Sequence, residues 1–94
     1  MQYEEIELTD NKEDHLYELW VDGKKSFIEY QPGENNKIVL LHTEVSKDLE
    51  GTGVAAALVR KTFELLEMQD QKVIPVCSYI RLFLKRNREW NRLL

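Results

Sequence analysis

The stretch Leu49-Glu50-Gly51-Thr52-Gly53-Val54-Ala55-Ala56-Ala57-Leu58 sets small residues where a loop turns into a helix. Gly51 and Gly53 carry no Cβ, so the backbone can bend sharply, and the first N–H groups of the following helix are left without intrahelical partners. Those donors and the positive end of the helix dipole attract anions. The methyl side chains of Ala55, Ala56 and Ala57 leave the approach open. The pattern suits a pyrophosphate, and with it a nucleotide-bearing cofactor. The same glycine spacing also serves a plain tight turn before a helix, so the elements around it must decide.

A chain of 94 residues makes one domain, 1–94, near the lower limit at which a core forms without staples. Its 43% hydrophobic and 32% charged residues match an ordinary globular protein, and four glycines and two prolines leave no room for long low-complexity tracts. The N-terminus Met1-Gln2-Tyr3-Glu4-Glu5 is acidic, unlike a secretory signal, and no apolar run approaches the roughly 20 residues of a membrane span. The expectation is a cytoplasmic protein with no membrane partner. Cys77 is the single cysteine and cannot form an internal disulfide. One Cys and two His are too few for a structural zinc site, so no metal is expected.

The net charge of −4 is unevenly spread: residues 1–50 carry 13 acids against 5 bases, and residues 78–94 carry 5 bases against one acid. Arg81, Lys85, Arg88 and Arg92 recur at helical spacing. They suit phosphates, and equally a helix C-terminus, where cations meet the dipole. The acidic total and the lack of a recognisable signature argue against nucleic acid.

Tyr3, Ile6 and Leu8 begin a short apolar pattern, and His15 to Val21 follows as a strand. Asp22-Gly23 is a hairpin turn, Lys24 to Tyr30 its second arm, and Gln31 to Asn36 the next turn. Lys37 to Val45 is the most β-rich run, and its continuous apolar centre predicts a middle strand covered on both faces. Val54, Leu58, Thr62, Leu65 and Leu66 share one helical face, with Lys61, Glu64 and Glu67 turned away. Lys72 to Cys77 reads as a last strand, its proline suited to an edge, and Tyr79, Ile80, Phe83 and Leu84 line a C-terminal helix. The strands before and after the first helix are joined by a crossover and are expected to lie parallel, splaying where a ligand enters. Trp20 and Trp90 are expected in the core or at a subunit contact, and His15 at a solvated strand start.

In this order of elements the chain resembles the GCN5-related N-acetyltransferase superfamily over nearly its whole length. Leu41-His42-Thr43-Glu44-Val45, Gly51-Thr52-Gly53-Val54-Ala55 and Val73-Ile74-Pro75-Val76-Cys77-Ser78-Tyr79-Ile80 resemble its minimal, NATD1-like branch. The resemblance implies an α+β (α/β) GNAT-like fold: a mixed antiparallel-parallel sheet of about five strands, two main helices, and a splay between the last two strands. It implies acetyl-CoA as cofactor, its pyrophosphate on Gly51, Thr52, Gly53, Val54, Ala55 and Ala56, and its pantetheine arm along the backbone of Thr43, Glu44 and Val45. Gly53 and Ala55 match the last two fixed positions of the superfamily loop, whereas Glu50 stands where Gln or Arg is usual.

The implied reaction is attack of an amine on a thioester, which needs a neutral amine, a stabilised oxyanion and an acid for the leaving thiolate. His42 is a candidate base, since imidazole exchanges protons near neutral pH, and equally an ordinary polar residue at a strand end. Cys77, before a helix start, is a candidate nucleophile through an acetyl-cysteine, or buried filler. Tyr79 is a candidate general acid, or an aromatic packing residue. Glu44 is a candidate attractor for a cationic acceptor, the better placed of Glu29 and Glu44. The acceptor is an amine on a small molecule or protein, and the chain a monomer or weak dimer. Two alternatives stand beside this enzyme: a coenzyme A or acyl-coenzyme A binding module with little turnover, and a protein-interaction domain reusing the fold through its basic C-terminal helix.

Overall fold

A computed structural model describes residues 3–94; Met1 and Gln2, the start of the expected 1–94 domain and of its acidic N-terminus, lie outside the described residues. Five strands form one sheet in the order β1 (Thr9–Asn11), β2 (Leu16–Val21), β3 (Lys24–Pro32), β4 (Lys37–Glu44) and β5 (Lys72–Pro75). Pairing is antiparallel from β1 to β4 and parallel between β4 and β5. Helix α1 (Val54–Met68) makes the crossover that parallel neighbours require, and α2 (Ser78–Arg86) follows β5. This is the expected mixed sheet with two main helices.

The Asp22-Gly23 hairpin turn has both central residues at positive φ, 52° and 75°. That is the primed-turn geometry whose twist suits a tight hairpin. Pro75 ends an edge strand, where a missing N–H leaves no ladder bond broken.

The core lies between one sheet face and the two helices. Tyr17 and Leu19 of β2, Ile28 and Tyr30 of β3, and Ile38 and Leu40 of β4 meet Leu58, Val59, Phe63 and Leu66 of α1. Phe63 meets Phe83 of α2 edge-on at 5.8 Å, so both helices share one side.

Four expectations are corrected. Strand β4 is not covered on both faces: Ile38 and Leu40 are buried, Val39 is half-buried, and Leu41 is exposed, because nothing among the described residues packs on the far face. Of the core and the subunit contact expected for Trp20, the core is excluded: it lies on that far face, 47% exposed, and donates its Nε1–H to Glu18, whereas Trp90 packs against Phe63 with ring centroids 5.6 Å apart. The C-terminal basic residues do not form one helical stripe. Helix α2 stops before Asn87, whose backbone leaves the helical region, and Arg88 and Arg92 sit on a separate 3-10 turn, Arg88–Leu93. His15 belongs to the turn before β2, at φ 56°, with its ring stacked on Tyr30.

Candidate functional site

Strands β4 and β5 part company in mid-sheet. Their register ends at the pair Leu40 and Pro75, and the Leu40 carbonyl accepts from both Val76 N–H and Cys77 N–H at 3.0 Å. Beyond it β4 continues to Glu44 while the chain after β5 turns into α2, so this stretch of β4 has no β5 ladder partner. At the same place β4 carries a bulge. Glu29 pairs with His42 and Tyr30 with Leu40, which leaves Leu41 as the extra residue.

The bulge decides which way the candidate residues face. Thr43 pairs with Ile28, a core residue, and its Oγ1 lies 3.4 Å from Cys77 Sγ across the splay. His42 pairs with exposed Glu29, so it stands on the open face; its Nε2 lies 3.7 Å from Glu44 Oε1 and its ring sits edge-on to Phe27. The sheet therefore separates His42 and Glu44 from Thr43 and Cys77.

The glycine loop sits at the splayed end of β4. Gly53 is the residue before α1, at φ 87°, a left-handed conformation that glycine adopts without strain. The first helical bond runs from Ala57 N–H to the Gly53 carbonyl at 3.1 Å, so the N–H groups of Gly53, Val54, Ala55 and Ala56 point out of the helix end. The loop is braced from both sides: Thr52 Oγ1 donates to the Leu49 carbonyl, and the Tyr3 hydroxyl donates to the Thr52 carbonyl at 3.3 Å.

A cavity of about 290 Å³ joins these parts. Val45, Gly51, Gly53, Val54, Ala55 and Ala56 line it, all among the expected residues, and Tyr79 from the first turn of α2 closes its far wall. Thr52 turns its side chain into the loop, and Thr43 and Cys77 lie at the splay beside the cavity. Leu49 and Glu50 line the cavity as well. Leu49 was given no role by the sequence, because an apolar residue before a glycine loop carries no chemical signal. Cys77 precedes α2 without capping it and is 8% exposed. Burial pushes the Tyr79 phenol above its ordinary value; Arg86 pulls it down and Cys77 adds to the rise. The phenol stays protonated, and so a proton donor, at neutral pH.

The lining fits a pyrophosphate: outward N–H donors, a helix dipole and no side chain beyond a methyl at Ala55 and Ala56. Glu50 is the one unfavourable group on this rim, and it is exposed.

A β-sheet opened between parallel neighbours, with a helix-end cradle beside the opening, defines the GNAT-like class. The profile of the GCN5-related N-acetyl-transferase family matches residues 16–93, and the chain belongs to that family. The fold is similar to the NMR solution structure of a GCN5-like protein from Staphylococcus aureus, with a TM-score of 0.71 and 24% identity over 96% of this chain and 88% of that one.

Proposed function

We propose that the chain is an acetyl-coenzyme A-dependent N-acetyltransferase of the minimal, NATD1-like branch, working in the cytoplasm. One observation carries the reading: a single cavity joins the splayed end of β4, the N–H donors before α1 and the Tyr79 phenol. Gly51 and the N–H groups of Gly53 to Ala56 would hold the pyrophosphate, and the unpaired backbone of Thr43 to Val45 the pantetheine arm. When bound, acetyl-coenzyme A supplies an acetyl group activated as a thioester.

The chain's own residues divide the work across the sheet. His42 and Glu44, on the open face, receive an amine arriving from solvent; His42 takes its proton and Glu44 holds the imidazolium so formed. Tyr79, on the helix side, donates its proton to the departing sulfur and takes one back from solvent. The amine nitrogen gains the acetyl carbon, the carbon–sulfur bond breaks, and the free thiol leaves.

A second route is favoured by the 3.4 Å contact between Thr43 Oγ1 and Cys77 Sγ at the mouth of the splay. There the Cys77 sulfur would take the acetyl group first, its proton going to the coenzyme A sulfur that departs as a free thiol; attack by the amine would then break the acetyl–Cys77 bond, and the amine's proton would restore the Cys77 thiol. The two routes differ in whether an acetyl mass adduct appears on Cys77 when acetyl-coenzyme A is added without an amine.

Isothermal titration of acetyl-coenzyme A and coenzyme A, beside a Gly53→Glu variant, tests the reading. Saturable binding that the variant loses is expected, followed by amine-dependent thiol release that falls about a hundredfold or more in His42→Ala. Binding without thiol release across an amine panel would favour the binding module instead. No binding at millimolar ligand would overturn both.

A further inference from the structure

A second hollow, of about 410 Å³, lies at the other end of α1, beside Gln69 and Gln71. The 15 residues of α1 put it about 22 Å from the glycine loop at 1.5 Å per residue. Its wall is the core face of β1, β2 and β3. Asp10 pairs directly with Tyr17 across the β1–β2 ladder, so the two side chains share that face. The Tyr17 and Tyr30 rings stack with centroids 4.1 Å apart, and His15 stacks on the other side of Tyr30 at 5.2 Å.

Two features of this hollow are unsatisfied. Tyr17 is only 2% exposed, yet its hydroxyl makes no hydrogen bond among the described residues. That hydroxyl is not sealed off, so the hollow it lines is where it opens. Asp10 and Lys12 both line the hollow but form no ion pair with each other. Asp10 takes the Tyr30 hydroxyl on Oδ1 at 2.7 Å, which leaves Oδ2 available, and exposed Lys12 has no partner among the described residues. The Tyr17 hydroxyl and the free Asp10 oxygen therefore both open into the hollow, where a bound polar group can meet them.

We infer that this hollow binds a small zwitterion, a free amino acid, with its ammonium on Asp10 Oδ2 and its carboxylate between Lys12 Nζ and the Tyr17 hydroxyl. One carboxylate and one ammonium that do not meet each other are satisfied together by a molecule carrying the opposite pair. A simple amine leaves Lys12 and Tyr17 unmatched, and a simple acid leaves Asp10 unmatched. The primary amides of Gln69 and Gln71 donate and accept at the rim, and Pro32 and Ile38 offer apolar wall to a side chain. Because the hollow and the glycine loop lie at opposite ends of α1, this ligand is distinct from the acetyl acceptor.

The test is a backbone amide NMR titration of the intact chain with the common L-amino acids one at a time, each compared with its N-acetylated form and its methyl ester. Saturable shifts at residues 10–17, 30 and 69–71 are expected for at least one free amino acid, with affinity lowered about tenfold or more by N-acetylation, esterification, Asp10→Asn or Tyr17→Phe. The Tyr17→Phe variant removes only an unpartnered hydroxyl and keeps the ring stack, so its fold is retained. The Gly53→Glu variant must bind as the parent does. The inference is overturned if no amino acid gives saturable shifts there at millimolar concentration. Equal affinity for blocked forms or unchanged affinity in both hollow variants overturns it too.

Discussion

Glu18 is the buried charged side chain among the described residues, and it lies on the open sheet face rather than in the core. Burial alone would favour its neutral form. Hydrogen bonds from Asn11 Nδ2 and Trp20 Nε1, with the Lys25 ammonium nearby, outweigh that and hold its carboxyl below the usual carboxylate range. A carboxyl whose folded pKa is depressed adds stability above its unfolded pKa, and that stability disappears as pH falls through the folded value. Thermal melts are therefore expected to show a midpoint that is level near pH 7 and drops as pH falls below about 4.3, the unperturbed glutamate value. In Glu18→Gln part of that drop is missing and the pH 7 midpoint is lower; superimposable pH curves would sink the assignment. The same network explains why Trp20 is tolerated at the surface: its N–H has a charged acceptor at 3.0 Å, and its ring shields that acceptor from water.

The two elements that make the candidate site owe their shape to single residues. Helix α1 begins where it does because Gly53 takes φ 87°, which a side chain disfavours by about 1–2 kcal/mol. Gly53→Ala is accordingly expected to lower unfolding free energy by about 1–2 kcal/mol in urea, with α1 still formed by circular dichroism; an unchanged midpoint would mean that the loop rearranges freely. Strand β4 owes its two-sidedness to the Leu41 bulge. Were Leu41 in regular register instead of bulged, the period-two alternation would carry His42 to the helix side and Thr43 to solvent. The chemistry proposed on the two sides of the sheet depends on this one insertion.

Across the whole molecule the core is one layer of helices on one layer of sheet, and Phe63 sits at its centre. It is fully buried, meets Phe83 at 5.8 Å and Trp90 at 5.6 Å, and so ties α1 to α2 and to the C-terminal turn. Phe63→Ala should cost about 3–5 kcal/mol. A domain of this size holds about 5–14 kcal/mol in all, so the variant is expected to fold marginally, with a large fall in the urea midpoint and early hydrogen exchange at residues 88–93. A loss under about 1 kcal/mol would show that the core reseals around the gap. The C-terminal turn has a second tie, a forked contact from Arg92 to Glu67 with the same guanidinium 4.5 Å over the Trp90 ring. Both groups are exposed, so this tie orients the turn more than it stabilises the fold.

Much of this was legible from residue order alone. Asp22-Gly23 between two β-rich runs can only be a tight turn, the spacing of Val54, Leu58, Thr62 and Leu66 gives α1 its buried face, and glycines before alanines mark the helix start, because each is a local preference of a few consecutive residues. The cradle from Gly51 to Ala56 follows from the same local logic. Tertiary structure decided what depends on pairing between distant segments. Leu41 reads as one more core residue in an apolar run, and only its register against Glu29 and Tyr30 makes it a bulge and sends His42 away from Cys77. Trp20 reads as a core or subunit-contact residue, and only the placement of both helices on one face takes it out of the core. Asp10, Lys12 and Tyr17 carry no pattern at all in the sequence. They become neighbours because the β1–β2 ladder and the end of α1 close around one hollow, and the physical reason is that such a site is built from long-range contacts that no local spacing records.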